Sequence, residues 1–108
     1  MADNRKYYYL KLKENFFDSD SIVLLEDMKD GILYSNILLK LYLKSLKNGG
    51  RLQLDEHIPY TAQMIATLTR HQIGTVERAL AIFQQLGLVE QLDCGLLYMT
   101  DIELMIGQ

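Results

Sequence analysis

One cysteine, one proline, two histidines and no tryptophan occur in 108 residues, and no apolar run is long enough to cross a bilayer. The lone Cys94 has no intrachain disulfide partner, which fits a reducing compartment and places the chain in the cytoplasm. A membrane span needs about 20 consecutive apolar residues, so no membrane association is expected. The opening MADNRKYYY is polar and basic, unlike a secretory leader. His57, His71 and Cys94 show no zinc-site spacing, and neither a Gly-rich phosphate loop nor a nucleophile elbow is present. Asp18-x-Asp20 fails as a calcium loop, because Ile22 stands where a third oxygen ligand belongs and the sixth position lacks glycine. No catalytic residue, metal or cofactor is therefore expected, and the chain does not read as an enzyme.

An excess of positive charge is missing too. The net charge is −3, whereas a basic domain is the expectation for a nucleic-acid binder. Residues 1–51 carry nine Lys/Arg against seven Asp/Glu (+2), and residues 52–108 carry two against seven (−5). The cations are concentrated in the first half.

Hydrophobic residues at 49% and charged residues at 23% describe an ordinary globular chain, expected to form one domain over residues 1–108. Its organising stretch is Pro59 to Gly87. Thr61 is placed to cap a first helix, and Tyr60 to pack on Ile65 as a hydrophobic staple. Met64, Ile65 and Leu68 share one face. Four polar residues, Thr69 to Gln72, then interrupt the pattern. A second stripe follows in Val76, Ala79, Leu80, Phe83 and Leu86, closed by Gly87. This spacing predicts a helix-turn-helix over residues 61–87. Leu88–Leu92 and Leu96–Thr100 read as strands about Asp93-Cys94-Gly95, a hairpin or wing over residues 88–100. The expected fold is mainly α with a small β-sheet: a winged helix-turn-helix core over residues 31–100, with an N-terminal strand and helix extension over residues 1–29.

In that extension Tyr7 to Lys13 alternates with period two and predicts a strand. Two readings stand beside each other. The strand lies on its own domain, or its Tyr7, Tyr8, Tyr9 and Leu10 edge pairs with another subunit in self-association. A helix is expected over Ser19–Lys29, with Ile22, Leu25 and Met28 inward. The next, Ile32 to Lys47, is apolar nearly all round and so expected to be central. Its polar stripe, Asn36, Lys40, Lys44 and Lys47, is either a solvated face or a phosphate-contacting row extended by Arg51. Residues Arg51 to Leu54 read as a short strand pairing with the wing.

With Val76 taken as the centre of the buried face and about 100° per residue, Arg78, Ala81 and Gln85 point outward. Thr75 and Ile82 flank them on one side, Glu77 and Gln84 on the other. Gln72, Thr75 and Arg78 then stand where a recognition helix reaches base edges, Arg suiting guanine and Gln adenine. Arg70 and His71 stand in the turn, within reach of phosphates. Each is also an ordinary exposed polar residue; the clustering on one edge carries the reading. The wing tip has no Lys or Arg, and Glu90 and Asp93 would repel a phosphate backbone, so the hairpin reads as structural or protein-binding.

The strings KYYYLKLKENFFDSDSIVLLEDMKDG and LYLKSLKNGGRLQLDEHIPYTAQMIATLTRHQIGTVERALAIFQQLGLVE resemble the N-terminal domain of phage replisome organiser proteins, over about Lys6 to Glu90. LKSLKNGG and HIPYT are the most specific pieces. The family occurs in phages and prophages of Gram-positive bacteria and is related to DnaD-type primosome proteins. The resemblance implies a winged-helix module of a replication-initiation protein. It would bind double-stranded origin DNA, self-associate and help recruit a helicase loader or other primosome proteins. Family members carry a further C-terminal region, so the 108 residues are expected to be an N-terminal domain. Two other functions share the fold: a protein-interaction module without DNA contact, and a transcriptional regulator binding a palindromic site as a symmetric dimer.

Overall fold

Between Gly31 and Ser45 the chain is dense in Leu, Ile and Tyr and free of proline, and this segment becomes the longest helix. The computed structural model describes residues 9–106. In chain order the elements are α1 (Asp20–Asp27), α2 (Gly31–Ser45), β1 (Gln53–Asp55), β2 (Ile58–Pro59), α3 (Ala62–Thr69), α4 (Ile73–Gln85), β3 (Val89–Gln91) and β4 (Leu97–Met99). Short 3-10 turns occupy Phe16–Asp18, Leu46–Asn48 and Ile102–Leu104. The molecule is mainly α with a small β component. No helix among the described residues is long and apolar enough to cross a membrane.

Helix α2 is the centre of the core. Its Tyr34, Ile37, Leu38, Leu41 and Tyr42 are buried with Ile22 and Leu25 of α1, Ile65 of α3, Val76, Ala79 and Phe83 of α4, and Met99 and Ile102. Each of the larger aliphatic side chains and Phe83 contributes about 1.5–3 kcal/mol when taken fully from water. The helix is not enclosed all round, however: Ile32, Leu33 and Leu43 are exposed. Its apolar composition exceeds what one buried face requires. At the corner into α2, Asp30 takes a left-handed conformation (φ 65°). Gly31 lets the main chain of Leu25 and Glu26 lie against it, where a Cβ would collide with both carbonyls.

The helix-turn-helix forms as expected. Thr61 Oγ1 accepts from the Met64 amide at 3.1 Å, and Tyr60 and Ile65 are both buried. The buried face of α3 differs from the predicted one: Ile65, Ala66 and Thr69 turn inward, while Leu68 is exposed. Thr69 tolerates burial because its hydroxyl donates to the Ile65 carbonyl at 2.7 Å.

After α4, β3 and β4 pair antiparallel in the register Val89↔Met99, Glu90↔Tyr98 and Gln91↔Leu97. The segment before β1 runs along the other side of β4. Arg51 bridges Tyr98, the Leu52 amide donates to Leu97 O at 2.9 Å, and the Met99 amide to Gly50 O at 2.8 Å. Gly50 has φ 98°, and a Cβ there would meet Ile102 and Tyr98 at 2.6 and 2.8 Å, so that close approach requires glycine. Helix, short strand, two helices and a hairpin is the order of a winged helix. An additional hairpin, β1 with β2, projects between α2 and α3 and was not anticipated.

The N-terminal strand is reduced to a single bridge, Leu10↔Ile106, with the Lys11 amide donating to Met105 O at 2.7 Å. Residues 9–13 otherwise have no regular structure, because the paired segment follows a 3-10 turn and is too short for a ladder. Tyr7 and Tyr8 of the expected self-association edge lie outside the described residues. Tyr9 is 77% exposed, and Leu10 is half-buried with its main chain paired within the molecule.

Candidate nucleic-acid interface

The turn between α3 and α4 is built by Arg70, His71 and Gln72. Arg70 closes α3 in a left-handed conformation (φ 63°), its amide donating to Ala66 O. Left-handed backbone disfavours a non-glycine residue by about 1–2 kcal/mol, so neighbours must hold it. Two residues of α2 do so. Lys40 Nζ donates to the Thr69 carbonyl at 2.7 Å, placing a cation at the negative end of α3. Asn36 Oδ1 lies 2.8 Å from His71 Nε2, which puts the proton of a neutral imidazole on that nitrogen. Burial, then the Lys40 charge, holds the His71 pKa below its ordinary value. His71 is therefore a neutral strut at pH 7. A cationic phosphate contact is not what the geometry offers.

The outer face of α4 presents Glu77, Arg78, Ala81, Gln84 and Gln85 to solvent, as the periodicity predicts. Thr75 is the correction. It is 7% exposed, and so is not available at the leading edge. The buried arc runs from Thr75 through Val76, Ala79 and Phe83 to Leu80. Its centre is therefore displaced by about 30° from Val76 at 100° per residue, and that rotation carries Thr75 inside. Arg78 is exposed but leans back toward Asp30 at 4.0 Å, the two side chains 58% and 38% exposed. Such a pair contributes little to stability, yet it sets a carboxylate beside the only cation of α4.

The polar stripe of α2 divides in two. Asn36 and Lys40 serve the turn, as above. Lys44 and, in the 3-10 turn that follows α2, Lys47 stay exposed. Together with Lys40 and Leu43 they line a shallow depression of about 390 Å³. Arg51 is exposed but sits apart in character, because Tyr98 beside it feels Glu103, Glu90 and Asp101 as well as Arg51. Burial first, then Glu103 and Glu90, raises the Tyr98 pKa, with Arg51 opposing. The wing and its flank are thus acidic ground.

Of the nine candidate DNA contacts, Arg70, Gln72, Arg78, Lys44, Lys47 and Arg51 are exposed, Lys40 and His71 are engaged within the fold, and Thr75 is buried. The free lysines and Arg78 are not brought together. Asn36 meets His71 and Asp30 meets Arg78, so α4 runs back along α2 from its middle toward its N-terminus. From Asp30 to Lys44 is 14 residues, about 21 Å along a helix axis at 1.5 Å per residue. The clamping roles of Asn36 and Lys40 were not foreseeable from their stripe. Their partners lie 35 and 29 residues further along the chain.

The model of the N-terminal phage replisome organiser family matches residues 9–108, and the chain belongs to that family. No curated protein and no solved structure matches it.

Proposed function

We propose that this N-terminal phage replisome organiser domain is the duplex-contacting module of a phage or prophage replication-initiation protein, acting at origin DNA in the host cytoplasm. The observation that carries the reading is the open lysine depression of α2, next to a turn that α2 itself braces. Lys44 and Lys47 take backbone phosphates, and Arg70 in the turn adds a third. Gln72 and Arg78, at the leading end of α4, approach base edges. Affinity then comes from α2 and sequence preference from α4.

The test is binding of a fluorescent duplex across a salt series. The logarithm of the affinity should fall linearly with the logarithm of salt, and Lys44→Ala should flatten the slope by about 0.9. Absence of binding even at low salt, or an unchanged slope in the variant, refutes the phosphate role.

A second reading has its own observation. Glu90 and Asp93 are exposed on the wing hairpin, and residues 79–108 contain neither Lys nor Arg. An acidic wing suits a basic protein partner, such as a helicase loader. Reversing both charges should abolish capture of that partner while leaving DNA affinity equal or higher. If capture survives the reversal, the wing is not the docking surface.

A further inference from the structure

A cavity of about 330 Å³ opens where the N-terminal segment and the turn after β4 meet α1 and α2. None of the candidate DNA contacts lines it. Its apolar wall is made by Ile22, Tyr42, Leu88 and Met105, all buried, and by the half-buried Phe16. The Phe16 ring stands edge-on to Tyr42, with centroids 6.5 Å apart. Leu12 and Leu104 also line it and are 41% and 75% exposed, so apolar surface is left for a ligand to cover. The volume lies at the lower end of the roughly 300–1,000 Å³ of small-molecule sites. The ligand is therefore small.

Around the apolar wall the charges balance. Lys11 and Lys13 come from the N-terminal segment, Asp18 from the turn before α1, and Asp101 from the turn after β4. The one ion pair among the described residues, Arg78 with Asp30, involves none of them. Asp101 is half-buried. After burial itself, its charge is what raises the Tyr42 pKa, so this carboxylate is close to the aromatic wall.

A cationic ligand would gain two carboxylates and be repelled by two lysines, and an anionic ligand would meet the reverse. An uncharged apolar ligand would draw water from all four groups and return nothing. The complement is a dipolar molecule that carries an ammonium, a carboxylate and an apolar group on one small frame.

We propose that this cavity binds a free α-amino acid with a large apolar side chain. The side chain packs against Phe16, Ile22, Leu88 and Met105. The ammonium donates to Asp18 and Asp101, and the carboxylate accepts from Lys11 and Lys13. The site does not depend on the reading of the α2 lysines as phosphate contacts.

The test uses three probes of nearly equal shape, L-phenylalanine, 3-phenylpropionate and 2-phenylethylamine, in calorimetric titrations of the chain. They differ in which charges they carry. L-phenylalanine should bind, and each singly charged probe should bind at least about tenfold more weakly, the loss of one charge-assisted contact. L-glutamine, with the same charges and a polar side chain, should also be weaker. K11M/K13M should reverse the order in favour of 2-phenylethylamine, and D18N/D101N in favour of 3-phenylpropionate. Lys11, Lys13 and Asp18 are exposed, and circular dichroism confirms the fold of each variant. Should D18N/D101N not fold, the wild-type series and K11M/K13M still decide.

No binding of L-phenylalanine at millimolar concentration, equal binding of the three probes, or an unchanged order in the folded variants overturns the proposal. So does N-acetyl-L-phenylalaninamide binding as tightly as L-phenylalanine, because it carries neither charge. Lys44→Ala, which tests duplex binding, should leave L-phenylalanine affinity unchanged, so the two readings stand or fall independently.

Discussion

Replacing Lys40 with methionine tests whether α2 braces the helix-turn-helix. The change keeps the stem of the side chain and removes only the ammonium that bonds the Thr69 carbonyl at 2.7 Å. A hydrogen bond with a charged partner contributes about 1.5–3 kcal/mol, and a cation at a helix C-terminus about 0.3–1 kcal/mol. These are two views of one interaction and do not add. Lys40 is half-exposed, so water reaches the freed carbonyl, and the lower end applies: a loss of about 1–2 kcal/mol. For a chain of this size that lowers Tm by roughly 5–10 °C. Lys44→Met, on the exposed part of the same stripe, should change stability by less than about 0.5 kcal/mol. Urea unfolding and thermal melting measure both. Duplex binding gives an independent comparison. Lys44→Met should flatten the salt slope, while Lys40→Met should weaken affinity and leave the slope unchanged. Equal stability of the two variants, or equal flattening, would refute the division of the stripe into brace and contact.

Tyr42 is buried with its pKa pushed up to about 12, by burial first and then by the charge of Asp101. Its folded-state value lies above the unfolded one, so its contribution, about 2–3 kcal/mol at 1.36 kcal/mol per unit, is intact below pH 10 and lost as pH rises toward 12. Tyrosinate absorbance should appear together with loss of circular dichroism, and Tyr42→Phe should move that transition to higher pH. For His71 the sign is opposite. Its folded pKa is lowered, so the stability it contributes is present above pH 6.5 and lost as pH falls through the depressed folded value. In an NMR titration His71 should protonate below the ordinary histidine range, and Asn36→Ala should change that titration. The Thr100 hydroxyl oxygen is buried without a partner among the described residues. Thr100→Val should therefore be neutral or stabilising in urea unfolding, whereas losing a made buried hydrogen bond would cost about 1 kcal/mol.

The elements defined by local chemistry were legible in advance. The Thr61 cap, the burial of Tyr60 and Ile65 around it and the apolar stripe of α4 each depend on residues within one or two turns, and each was expected from the spacing. The wing hairpin about Gly95 and the pairing of Arg51 with it were likewise anticipated. What periodicity could not supply is where a helix face is centred. A rotation of about 30° at 100° per residue moved Thr75 from groove to core. A comparable shift in α3 exchanged Leu68 for Thr69. The β1–β2 hairpin escaped because strands of three and two residues are too short to show a period. The tyrosine alternation near the N-terminus did show one, yet its described part forms a single bridge, since a strand also needs a partner of matching length.

The unequal fate of the α2 stripe accounts for the contrast between net charge and family. For an acidic protein to touch DNA, as proposed, its cations must be confined to one surface, and α2 sorts its polar stripe by position along its own axis. Its inward face is core. Its middle, at Asn36 and Lys40, lies against the turn that α3 and α4 share, so those polar groups are consumed in holding Arg70 in a left-handed conformation. Past Lys40 the stripe has no such partner to hold, and Lys44 and Lys47 are exposed along the open depression. At the other end α4 meets Asp30, and Arg78 is drawn to it. On the proposed reading, α4 with its one cation beside a carboxylate is a weak source of affinity and a reasonable source of discrimination, because base-edge bonds depend on geometry more than on net charge. The antiparallel course of α4 along α2 thus leaves about 21 Å of helix between Asp30, to which Arg78 is drawn, and the exposed lysines, so the proposed phosphate contacts and the proposed base-reading side chains fall at different places along α2.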